Sequence, residues 1–321
     1  MKKIKRIALR ILVRIKAATD KIKLPGLNGH SLYDVTVLFI KGMIEGAISM
    51  RAASVAYSFF IAIFPTLIFF LSLIPFIPID NFQYELFGLL ENVLPVNAYN
   101  LFYDTISDTL MNQRSSVLSI GFLLMLIFSS NGIVALIDAF NTSYHEVNTR
   151  NFVGDRLISL LLVIIMSILL IIAITLIVMG GRIFDIIVGY YPKLDRNSIS
   201  ILYFVIKWLT IIFLFFLAIS FLYYLAPAKK SRFRFFTPGA AFSTITLILA
   251  VYIFAFYVNN FSHYNKLYGS IGTVIVVMLL FYIIAMVLIV GFELNISTNI
   301  VKSMPEQNKK DSIKASAGNI K

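Results

Sequence analysis

The chain has 321 residues, of which 59% are hydrophobic and 14% charged, with a mean hydropathy of +0.86 and a formal net charge of +12. An ordinary soluble domain carries about 25% charged residues, so the excess apolar side chains must face something other than water. Cysteine is absent, which excludes disulfides, thiolate metal sites and a cysteine nucleophile.

From the N-terminus, residues 1–17 predict an amphipathic helix. Ile4, Ile7, Ala8, Ile11, Leu12 and Ile15 recur at helical spacing. Lys2, Lys3, Lys5, Arg6, Arg10 and Arg14 interleave with them. A helix of this kind lies in the headgroup plane with its cations on anionic lipid. Those charges interrupt any apolar core that a secretory signal would need. Pro25 and Gly26 mark a break. A second helix is expected over 31–50, where Leu32, Val35, Phe39, Met43, Ala47 and Ile48 oppose Asp34, Lys41 and Glu45. Residues 1–51 are thus expected as amphipathic, cytoplasmic-side interfacial helices.

Six spans follow, at 52–79, 117–137, 157–179, 199–225, 238–258 and 271–292. Each is long enough to cross about 30 Å of hydrocarbon at about 1.5 Å per helical residue. Barrel strands would alternate in polarity, whereas these runs are apolar all round and satisfy their backbones only as helices. The fold class is all-α, a polytopic six-helix transmembrane bundle over 52–297. Pro65 lies mid-span, removes a backbone hydrogen bond and predicts a kink. The carbonyl it frees either takes a ligand or is capped by a serine or Tyr57. Lys207 interrupts the fourth span and is expected to snorkel past Trp208 to the headgroups. The outer loop 80–116 is acidic and predicts two short amphipathic helices around Pro95. A disordered tail is expected over 298–321.

Orientation follows from Lys and Arg outside the spans. One side holds 22: eleven before the first span, Arg150 and Arg156, the cluster Lys229, Lys230, Arg232 and Arg234, and five after the last span. The other side holds five, and Lys207 completes the 28. An even number of spans puts both termini on the basic, cytoplasmic side. The high net charge is then a belt against anionic headgroups rather than a nucleic-acid surface. The cluster at 229–234 is expected to touch lipid headgroups.

Several phrases resemble the YihY/BrkB family of bacterial inner-membrane proteins. Ala52-Ala53-Ser54-Val55-Ala56-Tyr57 followed by Phe64-Pro65 is similar to its opening motif. Ser130-Asn131-Gly132 and Ala135-Leu136-Ile137-Asp138-Ala139-Phe140-Asn141, then Arg150, follow in order. Next come Tyr224-Leu225-Ala226-Pro227, Thr237-Pro238-Gly239-Ala240, Tyr264 to Gly272, and Gly291-Phe292-Glu293-Leu294-Asn295. Asn131 stands where the family has a small residue. The resemblance covers about residues 40–297 and implies a six-helix inner-membrane transporter or exporter with no agreed substrate. The family was once labelled ribonuclease BN.

The residues supply little for hydrolysis. Metal-assisted cleavage needs clustered His and carboxylate ligands, and only His30, His145 and His263 exist, with His263 across the membrane from the others. No phosphate-binding loop appears. No catalytic residue, metal or cofactor is expected, and the chain is read as no enzyme. Polar groups in the spans are more informative, because each must find a partner or line a wet cavity. Candidate path or gate residues are Tyr57, Pro65, Ser130, Asn131, Gly132, Asp138, Asn141, Arg150, Tyr268, Gly269, Gly272 and Glu293. The polar face of the second span either lines a path or bonds neighbouring helices. Asp138 and Glu293 are either a gate or proton-coupled pair, or members of an ion-pair network with Arg150, Arg156 or Arg51. The expected function is a cytoplasmic-membrane transporter or exporter of an amphipathic or lipid-like substrate. The alternative is a non-transporting scaffold or envelope-assembly factor. Partners are membrane lipids with anionic headgroups and no nucleic acid, with a homo-oligomer or envelope protein left open.

Overall fold

The structure, a computed structural model, describes residues 32–73, 115–143, 150–190, 196–228, 235–260 and 270–303. The described residues form seven helices and no strand. They are α1 (Leu32–Glu45), α2 (Ile48–Leu73), α3 (Ser115–Thr142), α4 (Phe152–Tyr190), α5 (Arg196–Leu225), α6 (Pro238–Asn260) and α7 (Ser270–Ser303). The last six are long and apolar enough to cross a membrane, which is the outcome expected for uniformly apolar runs that must close their own backbone hydrogen bonds.

The six long helices close into a ring. Each packs on the next, and α7 packs against both α6 and α2. It also touches α3 and carries α1 on its far end. The buried core gathers at one end of this ring, where α2, α4 and α6 begin and α3, α5 and α7 finish. Val55, Leu136, Ile137, Phe140, Leu162, Ile289 and Phe292 are all fully buried there. Phe140 stacks on Phe292 with centroids 4.3 Å apart, and Tyr223 meets the edge of Phe140 at 5.5 Å. Arg51, Arg150 and Arg156 lie at this same end, so it is called the basic end below.

Several boundaries differ from expectation. The second amphipathic helix does not run through to residue 50. It stops at Glu45, and α2 begins at Ile48 rather than at 52. Between them Ala47 adopts φ 46°, a left-handed conformation that an L-residue with a Cβ rarely accepts. The expected tail boundary at 297/298 falls inside α7, which continues to Ser303 because Val301 buries against Val35 of α1. Helix α4 holds 39 residues, about 58 Å at 1.5 Å each, nearly twice the hydrocarbon thickness of about 30 Å. Pro65 is buried inside α2, which continues past it to Leu73. The expected helix over 1–17, the outer loop 80–114, the cluster at 229–234 and the chain beyond 303 lie outside the described residues.

Candidate functional site

A cleft of about 350 Å³ opens between α2 and α3 at the basic end. Its α3 wall is a single helical stripe, Asn131, Val134, Ala135, Asp138 and Thr142, spaced by three, one, three and four residues. Arg51 and Ser54, three apart on α2, form the facing wall. The lining is therefore mixed, with apolar alanines and a valine between a guanidinium, a carboxylate, an amide and hydroxyls. The two helices approach closely enough for this because Gly132 has no side chain. A Cβ there would sit 2.6 Å from the Phe59 ring.

Two arginines fix the cleft walls. Arg51 Nη1 donates to the Ala139 carbonyl at 2.7 Å and to Ser143 Oγ at 2.6 Å. The Ala139 carbonyl belongs to the last turn of α3, whose carbonyls lack helical partners and carry the negative end of the helix dipole, and Ser143 follows directly after that helix. Arg156 reaches from α4 to Asn131 Oδ1 at 2.7 Å and Ser130 Oγ at 2.8 Å. Ser159 Oγ donates to the Arg156 carbonyl, so the 2.8 Å contact between Ser130 and Ser159 uses the Ser130 proton. The loop is closed and every member is satisfied. The Arg156 guanidinium also lies 5.8 Å from the Phe152 ring, within reach of a cation–π contact.

The remaining polar candidates fasten helices together. Asn141 Oδ1 accepts the Ala228 N–H at 2.9 Å, and Arg150 Nη2 donates to the Pro227 carbonyl at 2.8 Å. Both thus hold the turn after α5. Arg150 also faces Asp155 at 3.6 Å. Asn295 caps α6: its Oδ1 accepts the Gly239 N–H at 2.7 Å, while Nδ2 donates to Thr237 Oγ1 at 2.9 Å. Thr237 itself accepts the Ala240 N–H, with Pro238 in the first helical position. A buried knot joins α5, α6 and α7, where Tyr223 Oη donates to the Leu288 carbonyl at 2.6 Å and lies 2.7 Å from Ser243 Oγ.

Asn131 and Asp138 share the cleft, and Ser130 and Gly132 stand directly behind it. Asn141, Arg150 and Glu293 do not line it. Tyr57 is 58% exposed and caps nothing among the described residues. Gly272 lies in the first turn of α7 at the opposite end, and Tyr268 and Gly269 are outside the described residues. Asp138 and Glu293, left open between a gate and an ion-pair network, form no direct ion pair with an arginine among the described residues. Among the described residues Arg150 pairs with Asp155, Arg156 is taken by an amide and a hydroxyl, and Arg51 is turned onto α3. Glu293, 4% exposed, lies within electrostatic reach of Arg51 but forms no ion pair with it within 4.0 Å. Ser159, Tyr223 and Ser243 were not among the candidates, while Arg51 and Arg156 entered only as ion-pair partners and Asn295 only within a motif. The usable signal was a polar residue inside an otherwise apolar run, or an arginine in a helix's first turn. Among the described residues no three His, Cys, Asp or Glu side chains come together as a metal-ligand group.

Six lipid-length helices, with the polar contacts made by Arg51, Arg150 and Arg156 gathered at one end, define a polytopic α-helical membrane protein. The chain belongs to the Virulence factor BrkB family, which matches residues 39–315. That is the family its motifs resemble. It is 33% identical over 261 residues to the ribonuclease-like protein YfkH of Bacillus subtilis, covering 80% of this chain and 92% of that one. A UPF0761 membrane protein of Pseudoalteromonas translucida is 30% identical over 100 residues, 29% of this chain and 33% of its own. One from Vibrio campbellii is 30% identical over 88 residues, 27% and 28% respectively. No solved structure matches.

Proposed function

We propose that the protein is a transporter or exporter of the bacterial cytoplasmic membrane, moving an amphipathic, lipid-like substrate whose polar group enters the cleft between α2 and α3. The observation that carries this reading is the mixed lining of that cleft at the end of the helices. A volume of about 350 Å³ is at the lower limit of small-ligand sites, about 300–1,000 Å³. It admits a headgroup but not acyl chains, so the apolar part of the substrate stays in the bilayer. The basic end faces the cytoplasm, with both termini, because 22 of the 28 Lys and Arg residues lie on that side. Anionic lipids of the inner leaflet are its expected neighbours.

The alternative is a scaffold or envelope-assembly factor, favoured by the number of polar groups that tie helices together rather than face the cleft. Vesicles holding the purified protein separate the two. Labelled lipids and amphipathic solutes are expected to cross faster than in protein-free vesicles. Asn131→Leu, which fills the cleft and removes an acceptor of Arg156, and Asp138→Asn are expected to slow crossing by at least tenfold without lowering the yield of folded protein. No movement across a broad panel, with a partner co-purifying at fixed stoichiometry, establishes the scaffold reading instead.

A further inference from the structure

Two glycines one turn apart bring the end of α1 against charged groups of the bundle. A Cβ at Gly42 would fall inside the Glu293 carboxylate, and one at Gly46 would sit 2.7 Å from Arg51 Nη2. The α1 backbone therefore presses directly on Glu293 of α7 and Arg51 of α2. These opposite charges are within electrostatic reach, yet neither is fully satisfied. Glu293 Oε2 and the Arg51 atoms Nε and Nη2 are buried without a hydrogen-bond partner among the described residues. Buried ionic groups left unmade are costly, and closing a pair between them recovers much of that cost.

Val35 and Val301 form a cluster separate from the main core, supported by Leu38 and Leu294. The junction to α2 is a single turn in which Ala47 is left-handed, a conformation that costs an L-residue about 1–2 kcal/mol. Gly46 N–H still reaches the Gly42 carbonyl at 2.8 Å, so α1 remains helical up to the junction and moves as one piece. Met43 and Ile44 of α1, with Ile48, Met50, Met286 and Val290, border an apolar groove of about 400 Å³ beside the hinge. A separate apolar seat, a strained junction and an unmade ion pair are the features of an element able to take a second position.

We infer that α1 is a hinged latch: seated, it keeps Glu293 and Arg51 apart and narrows the apolar groove, and lifted about Gly46 and Ala47, it lets the pair close and the groove open. Closure draws Arg51 toward α7 and away from Ala139 and Ser143, loosening the end of α3 that forms one wall of the cleft. The latch thus couples the cytoplasmic-side helix to the proposed substrate cleft and rests on that reading for its purpose, but its motion does not.

Its motion is tested without any substrate. The chain has no cysteine, so spin labels at Lys41→Cys on α1 and Ile300→Cys on α7 report one distance in the full-length protein in lipid nanodiscs. Gly42→Ala is expected to shift most of the population to a longer distance. Adding Glu293→Ala, which removes the obstructed carboxylate, is expected to restore the seated distance. This rescue separates unlatching from misfolding, because a misfolded single variant would not be repaired by deleting a second buried side chain. A cysteine at Val290, labelled by maleimide, is expected to react at least fivefold faster in Gly42→Ala than in the parent. If Gly42→Ala leaves the distance unchanged, or if the double variant stays displaced, α1 is a fixed part of the bundle and the inference fails. Loss of transport in vesicles with an intact latch would instead overturn the proposed function.

Discussion

Gly239 and Gly291 decide how closely α6 and α7 cross. A Cβ at Gly239 would meet the Gly291 carbonyl and the Asn295 amide, while one at Gly291 would meet Ser243 Oγ, with Tyr223 Oη at 2.8 Å and Gly239 O at 3.0 Å. Ser243 Oγ sits on a short side chain held in the buried Tyr223 knot, with the Gly239 backbone carbonyl behind it, so the cost of Gly291→Ala exceeds the usual overpacking range of about 1–3 kcal/mol. Tyr223→Phe is the instructive contrast. It deletes two hydrogen bonds in a fully buried position, yet inter-helical side-chain bonds in membranes average about 0.6 kcal/mol and reach about 1.7. The Leu288 carbonyl lies inside α7 and keeps its helical bond. Thermal unfolding in detergent is expected to fall by a few degrees for Tyr223→Phe, whereas Gly291→Ala is expected to yield little folded protein. Equal behaviour of the two would show that the hydroxyl knot, not the close crossing, holds this corner. Residue by residue, the polar positions were legible but their roles were not. Asn141, Arg150 and Glu293 stand out in apolar surroundings, but which helix each meets depends on pairs 56 to 88 residues apart, such as Gly239 with Asn295 and Arg51 with Ala139. Spacing along one helix carries no information of that kind.

Helices, by contrast, were readable in number and type because hydrocarbon allows little else. Their ends were not, because an end is set by what it packs on. Residues 298–303 read as the start of a polar tail, but α7 extends through them so that Val301, 1% exposed, can bury against Val35. The α1–α2 break falls at Gly46 and the left-handed Ala47 rather than later, where a Cβ at Gly46 would meet Arg51. Truncation tests which boundary matters. A chain ending at Ser303 is expected to unfold at the same temperature as the full chain. A chain ending at Ser297 loses Val301, and burial of a valine contributes about 1.5–3 kcal/mol, comparable to the whole seat of α1. Tryptic cleavage after Lys41 is therefore expected to accelerate at least tenfold in the shorter chain alone. Unchanged cleavage would mean that α1 is held by something other than the end of α7.

At the scale of the whole molecule, ring closure makes α7 the last piece and the one with most to join. It supplies Ala285, Leu288, Ile289, Phe292 and Ile296 to the core and meets α1, α2, α3 and α6. The core, the cleft and the arginines all collect at one end, so the ring has a chemical polarity as well as a topological one. Which compartment that end faces is set by the charges outside the spans. Each Lys or Arg near an anionic leaflet contributes about 1 kcal/mol, and 22 against five supports the proposed orientation with the basic end on the cytoplasmic side. Single cysteines in this cysteine-free chain test it with a membrane-impermeant maleimide on right-side-out vesicles. Lys193→Cys is expected to label at once. Ser231→Cys, amid the basic cluster between α5 and α6, is expected to label only after the vesicles are opened. Labelling of both positions in sealed vesicles would mean that the charge asymmetry does not orient this bundle, and the cleft would then have no fixed side from which to load.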